Sequence, residues 1–290
     1  MTTSISVIVP HYNDLENLRR CLQFLRAQTL PHDKYEVIIV DNNSPAGIAP
    51  IEQMADGQAR VVLETRKGAG LARKAGALVA SGEILGFIDS DCRPAPNWLE
   101  KGSAALNTCD VVGGRVLVGR GAVGSLTPAE AFECVFAFDI ESYVNEKGFV
   151  PSGNMFVRRS TFKAVGGFRG GVSEDVEWSR RAAGMGFKLV YGDDVVVEHP
   201  ARTTWTDLKA KWRRVSLESY LLMREQRLGR LKWILRSWVV LCSPFFHILK
   251  VVRSTELETP VDRVNAIAAL FAIRSYRFVE AHKVTWRQPP

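Results

Sequence analysis

Glu83-Ile-Leu-Gly-Phe-Ile88 runs without a break into Asp89-Ser90-Asp91. A short apolar run of this length reads as a strand buried on both faces, and a polar cluster at its carboxyl end sits where open α/β sheets collect their ligands. Asp-Ser-Asp on its own is a weak signal, because any solvated loop carries such residues. Its position after a strand is the informative part. Working outward, Ile5-Ser-Val-Ile-Val-Pro10 reads as a first strand ending in His11-Tyr12-Asn13, and Tyr35 to Val40 as a second ending in Asp41. Ala59 to Leu63 is a third, followed by a glycine turn and a small-residue helix over 71–80 closed by Gly82. Strands alternating with helical stretches predict a mostly parallel sheet flanked by crossover helices.

Beyond residue 91 the pattern predicts a strand over 111–118, a helix over 128–143 and a strand over 154–157. A helix over 174–185 follows, then two short strands over 188–191 and 195–197. After His199-Pro200 the texture becomes basic, aromatic-rich and helical, with helices expected over 208–228, 231–252 and 260–281. This divides the chain into a nucleotide-binding and catalytic domain over 1–200 and a helical extension over 201–290.

Charge follows the same boundary. The 290 residues carry a net +7, but residues 201–290 hold 17 Lys and Arg against 7 Asp and Glu, while residues 1–200 hold 21 against 24. A basic extension of this kind suits a polyanionic partner. Ser237 to Leu249 carries no formal charge with His247 neutral, yet as a helix it rises only ~20 Å against a bilayer core of ~30 Å. Trp233, Trp238, Phe245 and Phe246, with Pro244 interrupting the run, predict an in-plane or re-entrant amphipathic hairpin at an anionic membrane, paired with the helix over 261–278. A helical subdomain packed on the core, or a homodimer interface, is the competing expectation. Interruption of the cations by apolar residues argues against nucleic acid as the partner. Five scattered cysteines and no secretory leader before Ile5 point to a reduced, cytoplasmic protein, peripheral on the inner face of the plasma membrane.

Three strands thus end in polar residues on one sheet edge. Two aspartates at a strand end suit a hard divalent ion bridging phosphates, and Asp41 suits a base or ribose, although turns and caps explain each alone. Ser173-Glu174-Asp175 likewise reads first as an ordinary helix N-terminus with dipole-stabilising acids.

Taken together, Ser6-Val-Ile-Val-Pro10-His-Tyr-Asn13, Val37-Ile-Ile-Val-Asp41, Ala72-Arg-Lys-Ala-Gly76 and Phe87-Ile-Asp-Ser-Asp91 resemble the successive signatures of family-two glycosyltransferases of the GT-A fold. The match continues through Ser152-Gly-Asn154-Met-Phe-Val-Arg-Arg159 and Ala164-Val-Gly-Gly-Phe168. The resemblance implies a GT-A-type mixed, mostly parallel α/β sheet flanked by helices, and inverting transfer of a sugar from a nucleotide diphosphate, most simply UDP, to a glycan or lipid-linked acceptor in cell-surface polysaccharide synthesis. It implies nucleotide contacts at Pro10, Tyr12, Asn13, Asp41, Lys67, Arg73 and Asp89, and a Mn²⁺ or Mg²⁺ ion at Asp91 and His199. It further implies Gly153, Asn154, Glu174 and Trp178 beside the sugars, with Asp175 as the general base. Lys74 stands where the family often has Asn. A sugar nucleotidyltransferase is the alternative enzyme, but Pro10-His-Tyr-Asn13 is not a glycine-rich activating loop. A non-catalytic sugar-nucleotide binder is the alternative outside enzymes, and the intact acids argue against it.

Overall fold

A computed structural model describes residues 4–120 and 125–286. The order is β1 (Ile5–His11), α1 (Leu15–Arg26), β2 (Tyr35–Asp41), α2 (Ala49–Ala55), β3 (Arg60–Leu63), α3 (Ala69–Val79), β4 (Ile84–Ile88), β5 (Arg93–Pro94), α4 (Trp98–Ala105) and β6 (Val111–Gly119). Then follow α5 (Pro128–Phe136), α6 (Ile140–Asn145), β7 (Asn154–Arg158), α7 (Arg159–Val165), α8 (Glu174–Gly184) and β8 (Leu189–Pro200). The chain ends in α9 (Trp205–Arg224), α10 (Gly229–Cys242), α11 (Pro244–Val252) and α12 (Pro260–Trp286).

The sheet runs β3-β2-β1-β4-β7-β6-β8-β5. β1 pairs in parallel with β2 and β4, and β2 with β3, so these four strands share one carboxyl edge. β7 enters antiparallel beside β4, which makes the sheet mixed. The parallel strands β1, β2 and β4 are buried nearly throughout, as their unbroken apolar runs require. α1 covers them with Leu18, Cys21, Leu22 and Leu25, one face at helical spacing. Asp14 begins that helix by accepting from Asn17 N at 3.2 Å.

Two elements differ from the sequence expectation for local reasons. The helix over 128–143 is two helices, because the chain leaves helical geometry after Ala137 and α6 restarts from Asp139. The two strands after residue 188 are one, since β8 runs through Gly192-Asp193-Asp194 to Pro200.

The chain forms two compact units. Among the described residues the first comprises 4–117, 139–170 and 174–199, and the second comprises 118–120, 125–138, 171–173 and 200–286. The expected boundary at 200 therefore marks one crossing among several, because α5 belongs with the C-terminal helices. α5 carries a full capping box, with Thr127 Oγ accepting from Glu130 N and Glu130 returning to Thr127 N. Its Ala129, Ala131 and Phe132 share a core with Leu208, Val251, Ala266, Leu270 and Ile273. α12 is the centre of that core, with Ala266, Ala269, Leu270 and Ile273 buried in it, while Ala281 farther along packs with Tyr220 and Trp233.

Candidate functional site

The site is assembled at the carboxyl edge of β1, β2 and β4. In the β1–β2 register His11 lies beside Asp41, and the two side chains meet at 3.0 Å, Nδ1 to Oδ1, both fully enclosed. Asp14 N–H donates to His11 Nε2 at 3.1 Å. That nitrogen is therefore the acceptor, which leaves the proton on Nδ1, donated to Asp41. Ser44 completes the carboxylate's shell through its backbone N–H at 2.9 Å and its hydroxyl at 2.5 Å, and the same hydroxyl accepts from Asn13 N at 2.8 Å. Asp41 is thus the hub of the two strand-end loops, with no exposed edge for a base. Pro10 is buried within β1, while Tyr12 and Asn13 are exposed beyond it.

Asn42 ties the next loop to this hub. Its Nδ2 donates to Glu64 O and Arg66 O, and its Oδ1 accepts from Gly68 N at 2.7 Å. Gly68 has φ +136°, a conformation that favours glycine, and it delivers Lys67, exposed, and the start of α3. Glu64 is held down to about 2, first by its hydrogen bond to Arg66.

Arg73, from α3, bridges the two acidic segments. One guanidinium nitrogen binds Asp89 and another donates to Glu174 Oε1 at 2.8 Å. Burial opposes the charge on Arg73, but Asp89 and Glu174 outweigh it and hold its pKa above the usual value. Two glycines permit this approach. A Cβ at Gly70 would stand 2.8 Å from Glu174 Cγ, and one at Gly153 would stand 2.6 Å from Asp89 Oδ2. Gly153→Ala is accordingly expected to displace the Asp89 carboxylate, which is partly exposed and can yield at little cost in stability. Weakened nucleotide binding with a nearly unchanged melting temperature checks this; unchanged affinity would detach Asp89 from the nucleotide.

Asp91 lies at the end of the same loop, with His199 Nε2 3.2 Å from its Oδ2. His199 is buried at the end of β8, and Asp91 is partly exposed. Among the described residues no group of three or more His, Cys, Asp or Glu side chains is gathered for a metal. One carboxylate and one imidazole are a partial donor set that fits a divalent ion whose other positions come from substrate phosphates and water, the usual mode for Mg²⁺ and Mn²⁺ at nucleotides.

Asp175 occupies the first turn of α8 beside Glu174. Helix N-termini favour ionised carboxylates, yet this one is pushed up to about 6, first by burial and then by the neighbouring Glu174 charge. A carboxylate in this range is a proton acceptor near neutral pH.

Two residues expected beside the sugars belong instead to the framework. Trp178 is fully buried, donates Nε1–H to Gly166 O at 2.8 Å, and packs with Phe162 and Phe168. Asn154 accepts from Trp98 Nε1 and donates to Arg115 O and Val195 O, so its amide is saturated while it ties β7 to β6 and β8. His11, Ser44 and Asn42 are the site residues that sequence reasoning missed. The signal for His11 was available, since aligning the ends of β1 and β2 sets it beside Asp41.

With this geometry in place, residues 6–166, more than half of the chain, match the sequence family Glycosyl transferase family 2. The chain belongs to this family and is a glycosyltransferase. It is 34% identical over 217 residues to Glycosyltransferase AglE of Haloferax volcanii, covering 72% of this chain and 71% of that one. It is 28% identical over 178 residues to the uncharacterized glycosyltransferase YwdF of Bacillus subtilis, covering 60% and 65% respectively. Among solved structures it resembles the mannosyltransferase PcManGT of Pyrobaculum calidifontis, in complex with GDP-Man and Mn²⁺, with TM-score 0.67 and 18% identity, covering 100% of this chain and 89% of that one. At that identity the likeness speaks for the fold, and the fold is the mixed, mostly parallel GT-A sheet flanked by helices.

Proposed function

We propose that this family-2 enzyme transfers a sugar from a nucleotide-diphosphate donor to a hydroxyl of a glycan or lipid-linked acceptor, with inversion at the anomeric carbon, in cell-surface polysaccharide synthesis. The observation that carries the reading is Asp175, a carboxylate raised to about 6 and joined through Glu174 and Arg73 to Asp89. Asp175 takes the acceptor hydroxyl proton as the acceptor oxygen bonds to the anomeric carbon. The bond from that carbon to the phosphate oxygen breaks, and the nucleoside diphosphate leaves with the electron pair. Attack opposite the leaving group inverts the centre without a covalent enzyme intermediate. Asp91 and His199 would hold a Mn²⁺ or Mg²⁺ ion, which would supply charge stabilisation to the leaving diphosphate when bound. Arg73 fixes Asp89 beside the donor and compensates the Glu174 charge, so that Asp175 is not facing two uncompensated carboxylates.

UDP is the donor nucleotide this reading takes first, and GDP is the competitor suggested by the ligand of PcManGT. Incubation with UDP- and GDP-sugars, with Mn²⁺ or with chelator, decides between them. The expected product is metal-dependent release of nucleoside diphosphate. Release of pyrophosphate would mark a nucleotidyltransferase, and tight binding without turnover a sugar-nucleotide binder.

A further inference from the structure

α10 and α11 are apolar on two sides. Inward, α10 buries Trp233 and Ser237, with Trp233 Nε1 donating to Ala281 O at 3.0 Å, and α11 buries Pro244 and Val251. Outward, α10 presents Leu231, Leu235, Trp238 and Val239, each at least 52% exposed, and α11 presents Phe245, Phe246, Leu249 and Val252, each at least 52% exposed. Single exposed apolar residues need no explanation, but eight on two consecutive helices do. At about 100° per residue the α10 set falls within an arc of roughly 100°. Ser243 between the helices keeps helical dihedrals, φ −62° and ψ −24°. The strip therefore continues in phase across the 45° bend. Trp238 and Phe245 also touch Phe278 and Phe271 of α12 edge-on, and remain half open or more.

The charge around this strip has one sign. From Gln226 to Thr255 there is no Asp or Glu, while Arg227, Arg230, Lys232, Arg236, Lys250 and Arg253 are present. By helical phase Lys232 and Lys250 border one edge of the strip and Arg230 lies towards the other, while Arg236 turns inward over the Trp233 ring. Cations flanking an open apolar strip match a plane of lipid phosphates above acyl chains. Among the described residues no single helix is long and apolar enough to cross a membrane; only the bent pair reaches that composition together. A span would strip Trp233, Ser237, Pro244 and Val251 from the core they fill.

We propose that the outward face of α10 and α11 is a monotopic membrane-binding surface that sinks into an anionic leaflet, such as the cytoplasmic one, with Lys232 and Lys250 at the phosphate level. The proposal stands independently of the transfer reaction. It is tested with the full chain, co-sedimented with vesicles of phosphatidylcholine alone or mixed with phosphatidylglycerol. Binding to the mixed vesicles is expected at low ionic strength, partly reversed by salt. Phe245→Glu combined with Phe246→Glu should weaken it about tenfold or more, with the melting temperature and nucleotide binding unchanged as evidence of folding. Lys232→Gln combined with Lys250→Gln should reduce the preference for anionic vesicles. The proposal is overturned by absence of vesicle binding at low salt, by binding indifferent to the phenylalanine changes, or by resistance to alkaline extraction, which would mark a span. It is also overturned if sedimentation velocity shows the same changes dissociating a homodimer that does not bind lipid.

Discussion

Asp175→Asn should abolish most sugar transfer while leaving donor binding in place. The amide keeps the shape and the hydrogen bond from Val176 N at 2.8 Å but cannot take a proton, and loss of a general base costs roughly 10²–10⁴-fold. In the wild-type enzyme, kcat/KM should rise with pH through about 6, where this carboxyl ionises, and the residual activity of the variant should lose that limb. A second consequence concerns stability. Because the folded value lies above the ordinary aspartate range, the native state holds the proton more tightly than the unfolded chain, so this group's contribution falls as pH rises from about 4 to about 6. Asp175→Asn is therefore expected to raise the melting temperature at pH 7 and change it little at pH 4. Steady-state rates and melting curves across that range check both. Wild-type transfer rates in the variant would place the base elsewhere.

The part of this site that could be read from sequence is the part carried by strand ends. Val37 to Val40 and Glu83 to Ile88 are apolar runs whose natural burial is in a parallel sheet, so Asp41 and Asp89 had to arrive at one edge. What sequence could not supply was the direction in which polar side chains point once there. Asp41 turns inward to His11 and Ser44, and Asn154 is consumed by three framework partners. Trp178 follows the helical periodicity of α8 into the core rather than lining a sugar site, a choice that depends on the aromatic cluster of Phe162 and Phe168, brought together only by the tertiary fold. The elevated Asp175 pKa is legible only in three dimensions, because the helix N-terminus alone argues for the opposite shift. In the C-terminal third, helices were readable over α10, α11 and α12, but the sequence gave no sign that α12 would be the hub of a core shared with α5. α5, separated in sequence from the C-terminal helices by most of the second half of the first unit, completes that core.

That arrangement makes Glu133 of α5 the most consequential charge in the second unit. Its side chain is 1% exposed and accepts from Lys211 Nζ at 2.7 Å and Arg202 Nη1 at 3.0 Å. Burial alone would raise its pKa, but the two cations outweigh burial and hold it below the usual glutamate value. Glu133→Gln leaves Lys211 and Arg202 without their counter-charge, and breaking a buried pair in this way costs about 3–5 kcal/mol. A denaturant midpoint should register the loss. Arg19→Gln, which removes a pair exposed on both sides, serves as the comparison and should leave the midpoint nearly unmoved. The sign of the pH dependence separates charge from packing. In the wild type, the stability supplied by Glu133 is present above the ordinary glutamate range and is lost as pH falls through its depressed folded value. In Glu133→Gln the pH dependence passes to Lys211, which burial already pushes below the usual lysine pKa. Without Glu133 its folded value drops further, the unfolded chain then binds more protons than the native state, and stability should recover as pH is raised from neutral towards about 10. A loss of packing alone would show no such recovery, and a midpoint unchanged at every pH would mean that water has reached the pair.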